Sequence, residues 1–376
     1  MTRGSRSIDK TTFSAGALHL TLLNFVAADA GELGAALAQC NEVVGARNIV
    51  RQAFFLRDRA DRPAVERTVT EAAGLTRPLT TYVYQPPAAG EMLAAEVWAF
   101  AEAVQQHDNY CVASTGDVRW GFVGGIDSAR DAGPYAGVSD ILSRSQQLLK
   151  RAGFAFEEIV RTWYYIGDIL GGPEEQRRYN QVNRARNDFY AGRWSDLRNV
   201  PASTGIGMRT NNIAFEALAL RSEQPLNIQW VHNPLQASPY DYETTADREA
   251  NPSFSRAAAV SLPGATVIFI SGTASIRGST VISPDDAREQ TRVTIENIAT
   301  LIGEDNLRRF GLERGATLSD LLQYRVYVKR AEDCQTVAAV CKELLPPRPH
   351  AAMVADVCRS KFLVEIEGIA AVKNAQ

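Results

Sequence analysis

The sequence predicts an α+β protein in which one unit is written three times along a single chain, arranged with pseudo-threefold symmetry. Three observations predict it. A β-branched and aromatic run recurs at 48–58, 158–168 and 320–330, with the composition of a strand each time. Each run precedes a polar stretch of helical pattern, at roughly 61–74, 174–191 and 331–345. Each unit then shows a proline with a short extended segment (78–82, 201–205, 349–353) and closes on an apolar strand that carries a glutamate (93–99, 213–219, 364–370). Three matches in one order are the signature of an internal repeat.

The repeats divide the chain into units at 1–106, 107–222 and 263–376, the first of them degenerate, with an aromatic segment at 223–262 between the second and third. In the second unit the strand 121–125 leads to a helix around 143–153, and in the third 267–273 leads to a helix at 288–303. The apolar positions Val293, Ile295, Ile298 and Leu301 of that last helix recur with the period of a face packed on a sheet. The first unit has a compatible front, 17–26 followed by 30–43. Antiparallel strands with helices on one face are expected in each unit. The segment 223–262 is long for a loop in a compact protein, and its Trp230, Tyr240, Tyr242 and Phe254 favour an ordered, packed course.

Composition narrows the function classes. At 376 residues, 45% hydrophobic and 22% charged, the chain has the make-up of a globular protein of two or three domains. A net charge of -3 gives no electrostatic reason to expect nucleic acid or an anionic membrane as partner. No apolar run approaches the ~20 residues of a membrane-spanning helix, and the charged stretch 1–14 has no apolar core of a secretion signal. Cys40, Cys111, Cys334, Cys341 and Cys358 are scattered and odd in number, which argues for reduced thiols in a cytoplasm. His19, His107, His232 and His350 stand far apart, so neither a metal nor another cofactor is expected. Three internal copies make a monomer sufficient.

The closing strands align Glu96, Glu216 and Glu367, while the position two residues earlier holds Ala94, Ala214 and Glu365. A glutamate present in all three copies is expected to do a structural job, accepting backbone or arginine hydrogen bonds. Glu365 occurs once, on the same inward face, as either half of a buried salt bridge or a general acid of raised pKa. Arg325 and Tyr327 lie on the strand face opposite Val326 and Val328, where the other copies place Trp163 and Tyr165, or Ala53 and Phe55. A cation there needs an anionic partner, either Glu365 or a substrate carboxylate. Residues Thr204 to Gly207 resemble a phosphate loop but lie between strands and lack Lys-Ser/Thr, so a close backbone approach or a bulge is expected. Arg184 and Arg186 belong to a charged helix with a solvated face as the default. Cys358 is read as an inert buried thiol, with no base partner nearby in sequence.

The repeat unit resembles the RidA/YjgF family of small trimeric proteins, whose clefts lie between subunits. The resemblance rests on a Ser-Gly strand end at Ser271-Gly272, a helix with Gln290 and Asn297, the Val326-Tyr327-Val328 strand and the closing strand 364–370. The arginine that usually follows the proline in that family is replaced by Thr80, Ser203 and Ala351, which argues against carrying over its imine-hydrolase chemistry. The whole chain looks like a more specific relative, the chorismatases, which hold a pseudo-trimer of such units. The stretches that carry this resemblance are 164–167, Arg178-Tyr179-Asn180 with Arg184-Ala185-Arg186, 201–207, 252–257 and 271–276.

That resemblance implies chorismate as substrate and Glu365 as the acid that protonates its enolpyruvyl methylene. It favours Arg256 beside Arg325 for the two substrate carboxylates, with Tyr327, Tyr242, Thr204 and Gly205 completing the candidate binding set. One branch of the family hydrolyses the enol ether to a dihydroxycyclohexadiene acid; another forms 3-hydroxybenzoate. Gly272 paired with Cys358, seven residues before Glu365, resembles the second branch, whereas the hydrolytic one tends to have alanines at both positions. A sulfur facing a glycine reshapes the pocket against attacking water. The expected activity is therefore 3-hydroxybenzoate synthase. The alternatives are the hydrolytic reaction, a mixed 3-/4-hydroxybenzoate former and a non-catalytic small-acid binder of RidA/YjgF type.

Overall fold

The computed structural model describes residues 8–74, 76–102, 104–173, 177–242 and 250–374. Residues 1–7, 174–176 and 243–249, on which parts of the secretion-signal, helix and aromatic-segment readings fall, lie outside the described residues. The chain forms an α+β structure around three large sheets. The first contains β1 (Asp9–Ala15), β2 (Leu18–Ala27), β3 (Ile49–Leu56), β4 (Thr80–Val83) and β5 (Leu93–Phe100), in the order β1-β2-β5-β3-β4. The second contains β6 (Gln105–Gln106), β7 (Tyr110–Thr115), β8 (Val118–Asp127), β9 (Ile159–Gly167), β10 (Ala202–Met208) and β11 (Ile213–Arg221), in the order β6-β7-β8-β11-β9-β10.

The third sheet begins with β12 (Asn227–Val231), β13 (Ala257–Leu262) and β14 (Ala265–Ala274). A small hairpin of β15 (Ile276–Arg277) and β16 (Thr280–Val281) follows, before β17 (Leu321–Val328), β18 (His350–Val354) and β19 (Val364–Lys373) complete the order β12-β13-β14-β19-β17-β18. In each sheet the closing strand, β5, β11 or β19, lies between the front hairpin and the aromatic strand. The helices pack in pairs: α1 (Ala30–Val44) with α2 (Arg62–Ala73), and α3 (Pro134–Ala152) with α4 (Arg178–Ala191). In the third sheet α5 (Ala287–Ile302), followed by the short α6 (Glu304–Arg308), packs with α7 (Cys334–Leu344). No helix among the described residues is long and apolar enough to cross a membrane.

Two sequence expectations change. The sheets are not wholly antiparallel, because β4, β10 and β18 pair parallel with β3, β9 and β17. The helix between each pair carries the chain back to the end where the first strand began, as a crossover to a parallel neighbour requires. The segment 223–262 is also not separate from the third sheet. Its ends are β12 and β13, paired with each other, and β13 pairs onward with β14.

One face of the third sheet meets helices: Val326 and Val328 share a core with Ile295, Ile298 and Leu301. The other faces of all three sheets contribute to a common core, which includes Phe55, Trp98, Trp163, Tyr165, Phe269 and Tyr327. Into this apolar junction the strands place three arginines and three glutamates, all buried. Arg51 on β3 reaches Glu96 at 2.5 Å and Glu216 at 2.7 Å. Arg325 on β17 reaches Glu96 at 2.5 Å and Glu367 at 2.9 Å, and Arg161 on β9 also pairs with Glu367. Buried charges of this kind are tolerated only when paired and hydrogen-bonded. Burial alone would raise the Glu96 pKa, yet Arg325 and Arg51 prevail and hold it at about 2. The repeated glutamate therefore ties the three sheets together.

Candidate active site

A cavity of about 940 Å³ opens beside this junction, within the size range of small-molecule sites. Its wall brings together Tyr179 from α4, Gly205 from β10, Arg256 at the start of β13, Gly272 from β14, Cys358 from the loop before β19, and Glu365 from β19. Among the described residues lining it, Arg177, Arg184, Arg256, Arg359 and Lys361 carry positive charge and Glu365 alone is acidic. Low-dielectric walls focus such a field, so the cavity attracts anions.

Glu365 is 4% exposed, and no hydrogen bond among the described residues holds its carboxylate. Burial is the largest cause of a pKa raised to about 8, and the nearby Glu367 carboxylate adds to it; Arg161 and Arg256 pull the other way without prevailing. The group is therefore a protonated acid at neutral pH, the state a general acid requires. It fits because β14 has no side chain beneath it. A Cβ built on Gly272 would overlap Oε1 of Glu365, and the β14–β19 register shifts between Ile270 and Thr273 at this point. Such a bulge frees a residue from the ladder and re-aims its neighbours.

Cys358 faces the same space, its thiol pushed up to about 12, mainly by burial and then by Glu365. It is a neutral, polarizable wall there rather than a nucleophile. Arg256 donates through Nη2 to the carbonyl of Ala237 at 3.0 Å and to the Tyr242 hydroxyl at 2.5 Å, while its buried Nε has no partner among the described residues. The guanidinium thus lines the cavity with no carboxylate partner among the described residues, and a cation so placed favours an anionic ligand. Tyr242 also lies under the Arg359 guanidinium, 4.3 Å from its ring centroid.

Glu365, Gly272, Cys358, Arg256, Tyr242 and Gly205 thus share one cavity. Arg325 and Tyr327 do not, which corrects their reading as substrate contacts. Arg325 spends its donors on Glu96, Glu367 and the Tyr165 hydroxyl, and the Tyr327 hydroxyl donates to Glu367 at 2.8 Å. Both point into the sheet junction, where a cation of one copy meets the carboxylate of another. The anionic partners of Arg325 are Glu96 and Glu367, not Glu365. Thr204 is likewise removed from the cavity wall, its hydroxyl donating to Glu367 and accepting from Arg161.

Sequence reasoning missed Tyr179, Arg177, Arg359 and Lys361 as lining residues. Tyr179 had a signal of a kind, since Gly205 has no side chain where the tyrosine ring packs: a Cβ there would stand 3.1 Å from Cε2. The cations carried none, because a loop arginine reads the same whether it faces solvent or a cleft.

Comparison with known proteins bears on this arrangement. Residues 96–219 match the family model described as Chorismatase FkbO/Hyg5-like, N-terminal, and residues 246–372 match Endoribonuclease L-PSP. A chorismatase of Streptomyces rapamycinicus is 32% identical over 288 residues, which cover 74% of this chain and 82% of the relative. The chain belongs to the chorismatase family. A 3-hydroxybenzoate synthase of Streptomyces hygroscopicus is 35% identical over 224 residues, covering 57% of this chain and 64% of that synthase. A chorismatase crystal structure superposes with a TM-score of 0.69 at 26% identity, covering 86% of this chain and 93% of the other. In this member of the chorismatase family the cavity wall draws on both matched regions: Tyr179 and Gly205 from the first, Arg256, Gly272, Cys358 and Glu365 from the second.

Proposed function

We propose that the protein eliminates pyruvate from chorismate to give 3-hydroxybenzoate, with Glu365 as the acid. The observation that carries this reading is the carboxyl of Glu365, raised to about pKa 8 in a cavity whose other charged lining residues, among those described, are cations. Chorismate is a dianion with an acid-labile enol ether, and this cavity offers fixed positive charge together with one proton. Arg256, with Arg359 nearby, supplies the positive charge for the carboxylates.

The Glu365 proton adds to the enolpyruvyl methylene carbon, making the ether carbon oxocarbenium-like. The bond between the ring and the ether oxygen then breaks, the electron pair leaving with pyruvate as its carbonyl. The neighbouring ring hydroxyl closes onto the vacated carbon, and its proton returns to Glu365. That arene-oxide-like species opens by breaking the bond to the carbon that first bore the hydroxyl; the hydrogen on the carbon that keeps the oxygen is lost as a proton while the oxygen gains one, and the ring becomes 3-hydroxybenzoate. No water is consumed, so a dry pocket favours this branch. Gly272 and Cys358 support it: the glycine lets the acid sit against the β14 backbone, and the neutral thiol fills space that water would otherwise take.

We also infer that the three sheets are diverged copies of one RidA/YjgF-like unit set around the Arg–Glu junction in a pseudo-threefold manner. Such divergence allows one cleft to keep an acid that its two counterparts lack.

The test is incubation of the purified protein with chorismate, with no metal or nucleotide added, and chromatography with mass detection. Pyruvate with 3-hydroxybenzoate is the expected result. Pyruvate with a non-aromatic diol would assign the hydrolytic branch instead. Binding of chorismate with no pyruvate, unchanged in Glu365→Gln, would identify a small-acid-binding protein.

A further inference from the structure

The second and third sheets meet through a reciprocal pair of side-chain-to-backbone hydrogen bonds. The Ser203 N–H of β10 donates to Ser271 Oγ of β14 at 2.9 Å, and the Gly272 N–H of β14 donates to Thr204 Oγ1 of β10, also at 2.9 Å. Each strand thus satisfies an N–H of the other without a ladder. Gly272 needs this partner because the register shift opposite β19 leaves it outside the regular pairing. Thr204 can serve because its hydroxyl is saturated and oriented: it gives its proton to Glu367 and accepts from Arg161 Nη2 at 2.6 Å as well as from Gly272. Its methyl group completes the contact, 3.2 Å from where a Gly272 Cβ would stand.

We infer that Thr204 is a positioning residue: it registers the Gly272 backbone to the buried Arg–Glu junction and so sets where the Glu365 carboxyl stands. This rests on the reading of Glu365 as the acid. Three groups meet in one line, with the hydroxyl of Thr204 holding the backbone of Gly272 and that bare backbone forming the floor of Glu365. Releasing Gly272 loosens the floor and admits water beside the carboxyl, which favours its charged form. The other groups facing Glu365 are Glu367 on its own strand, Arg161 from β9, Arg256 before β13, and Cys358 and Tyr179 from the cavity wall. Tyr327 of β17 lies opposite it in the ladder, with its hydroxyl on Glu367. Exchanging the Thr204 hydroxyl for a methyl group also takes one hydrogen bond from Glu367 and one from Arg161, whereas Ser271→Ala loosens the same strand contact and leaves both of those bonds in place.

The test compares Thr204→Val, which keeps the shape and removes the hydroxyl, with Thr204→Ser, which keeps the hydroxyl. Infrared difference spectra against Glu365→Gln follow the Glu365 carboxyl of the free protein as pH is raised, with no turnover involved. Thr204→Val is expected to lower that titration midpoint by about one unit, with Thr204→Ser staying within about 0.3 of the parent. With chorismate, Thr204→Val should lose about tenfold in kcat at pH 8 with KM changed less than about twofold. A midpoint in Thr204→Val equal to the parent's would overturn the inference. Should Thr204→Val not fold, Ser271→Ala removes the other half of the pair and must move the midpoint in the same direction for the inference to stand. If the parent leaves chorismate unchanged while the midpoint shifts as described, the reaction assignment falls and the positioning role stands.

Discussion

Glu365 and Glu367 stand two residues apart on one face of β19 and have opposite surroundings. Glu367 accepts from Arg161, Trp163, Thr204, Arg325 and Tyr327. Glu365 accepts from none of the described residues, and the carboxylate of Glu367 helps keep it protonated. The strand thus carries a fully hydrogen-bonded carboxylate and one without a partner among the described residues side by side, and the donors' placement decides which is which.

The first expectation concerns pH. With a folded-state pKa near 8, Glu365 is protonated below that value and loses its proton above it. The rate of pyruvate release should fall about tenfold per unit as pH rises beyond 8. Measuring kcat/KM from pH 6 to 10 checks this, and a flat profile across that range would remove Glu365 from the role of acid.

Replacing Glu365 with Gln should reduce turnover by on the order of 10³-fold, the usual contribution of a positioned acid. The same change should stabilise the fold at high pH. A carboxyl raised to about 8 in the folded protein gives up its proton more readily when unfolded, so stability falls between the unfolded pKa, near 4.3, and 8, then stays level. Glutamine escapes that loss. Thermal unfolding at pH 9 should show Glu365→Gln melting roughly 3–5 °C above the parent, with little difference at pH 4.5.

Gly272→Ala places a methyl group where the Glu365 carboxyl lies. Because the clash is with the far end of a side chain, the protein should fold and the acid should move. Turnover is expected to drop at least about tenfold, the effect of a small misplacement of a catalytic group. Cys358→Ala should instead retain most of the turnover and raise the share of hydrolysed diol, by opening room for water at the wall. Product ratios by chromatography distinguish the two effects.

Arg256→Ala should raise KM for chorismate by about 10- to 100-fold, the value of a charge-assisted hydrogen bond made in a desolvated site. Arg325→Met should do the opposite kind of damage. It leaves Glu96 and Glu367 short of a buried partner, costing about 3–5 kcal/mol of stability, while KM of the folded fraction stays within about twofold. Calorimetry together with steady-state kinetics separates these outcomes, and a large KM effect in Arg325→Met would return it to the substrate site.

The repeats were legible because strands and their flanking helices are written in local periodicity and composition. Glu96, Glu216 and Glu367 stood out as a set, and Glu365 as an exception to it. Of the cations that answer them, Arg325 stood out as well, but Arg51 and Arg161 did not. Arg51 and Arg161 occupy equivalent positions in their strands, where β17 has Gln323, while Arg325 enters two residues later. Gln323 bonds Asn24 and Trp98 instead, and Arg325 still reaches Glu96 and Glu367. Equivalent roles were filled from non-equivalent positions, which no alignment of the repeats could show.

What the sequence by itself determined is the α+β class, the alternation of each strand, and the one closing strand that carries a second inward carboxyl. These follow from side-chain alternation and from comparing copies within the chain. What only the tertiary structure decided is which inward-facing charges are paired. Arg325 and Arg256 are both buried arginines beside a strand. One is satisfied by glutamates separated from it by 229 and 42 positions, and the other lines the cavity with no carboxylate partner among the described residues. Whether a buried charge is structural or available depends on what other sheets bring within hydrogen-bonding reach, and packing alone sets that distance.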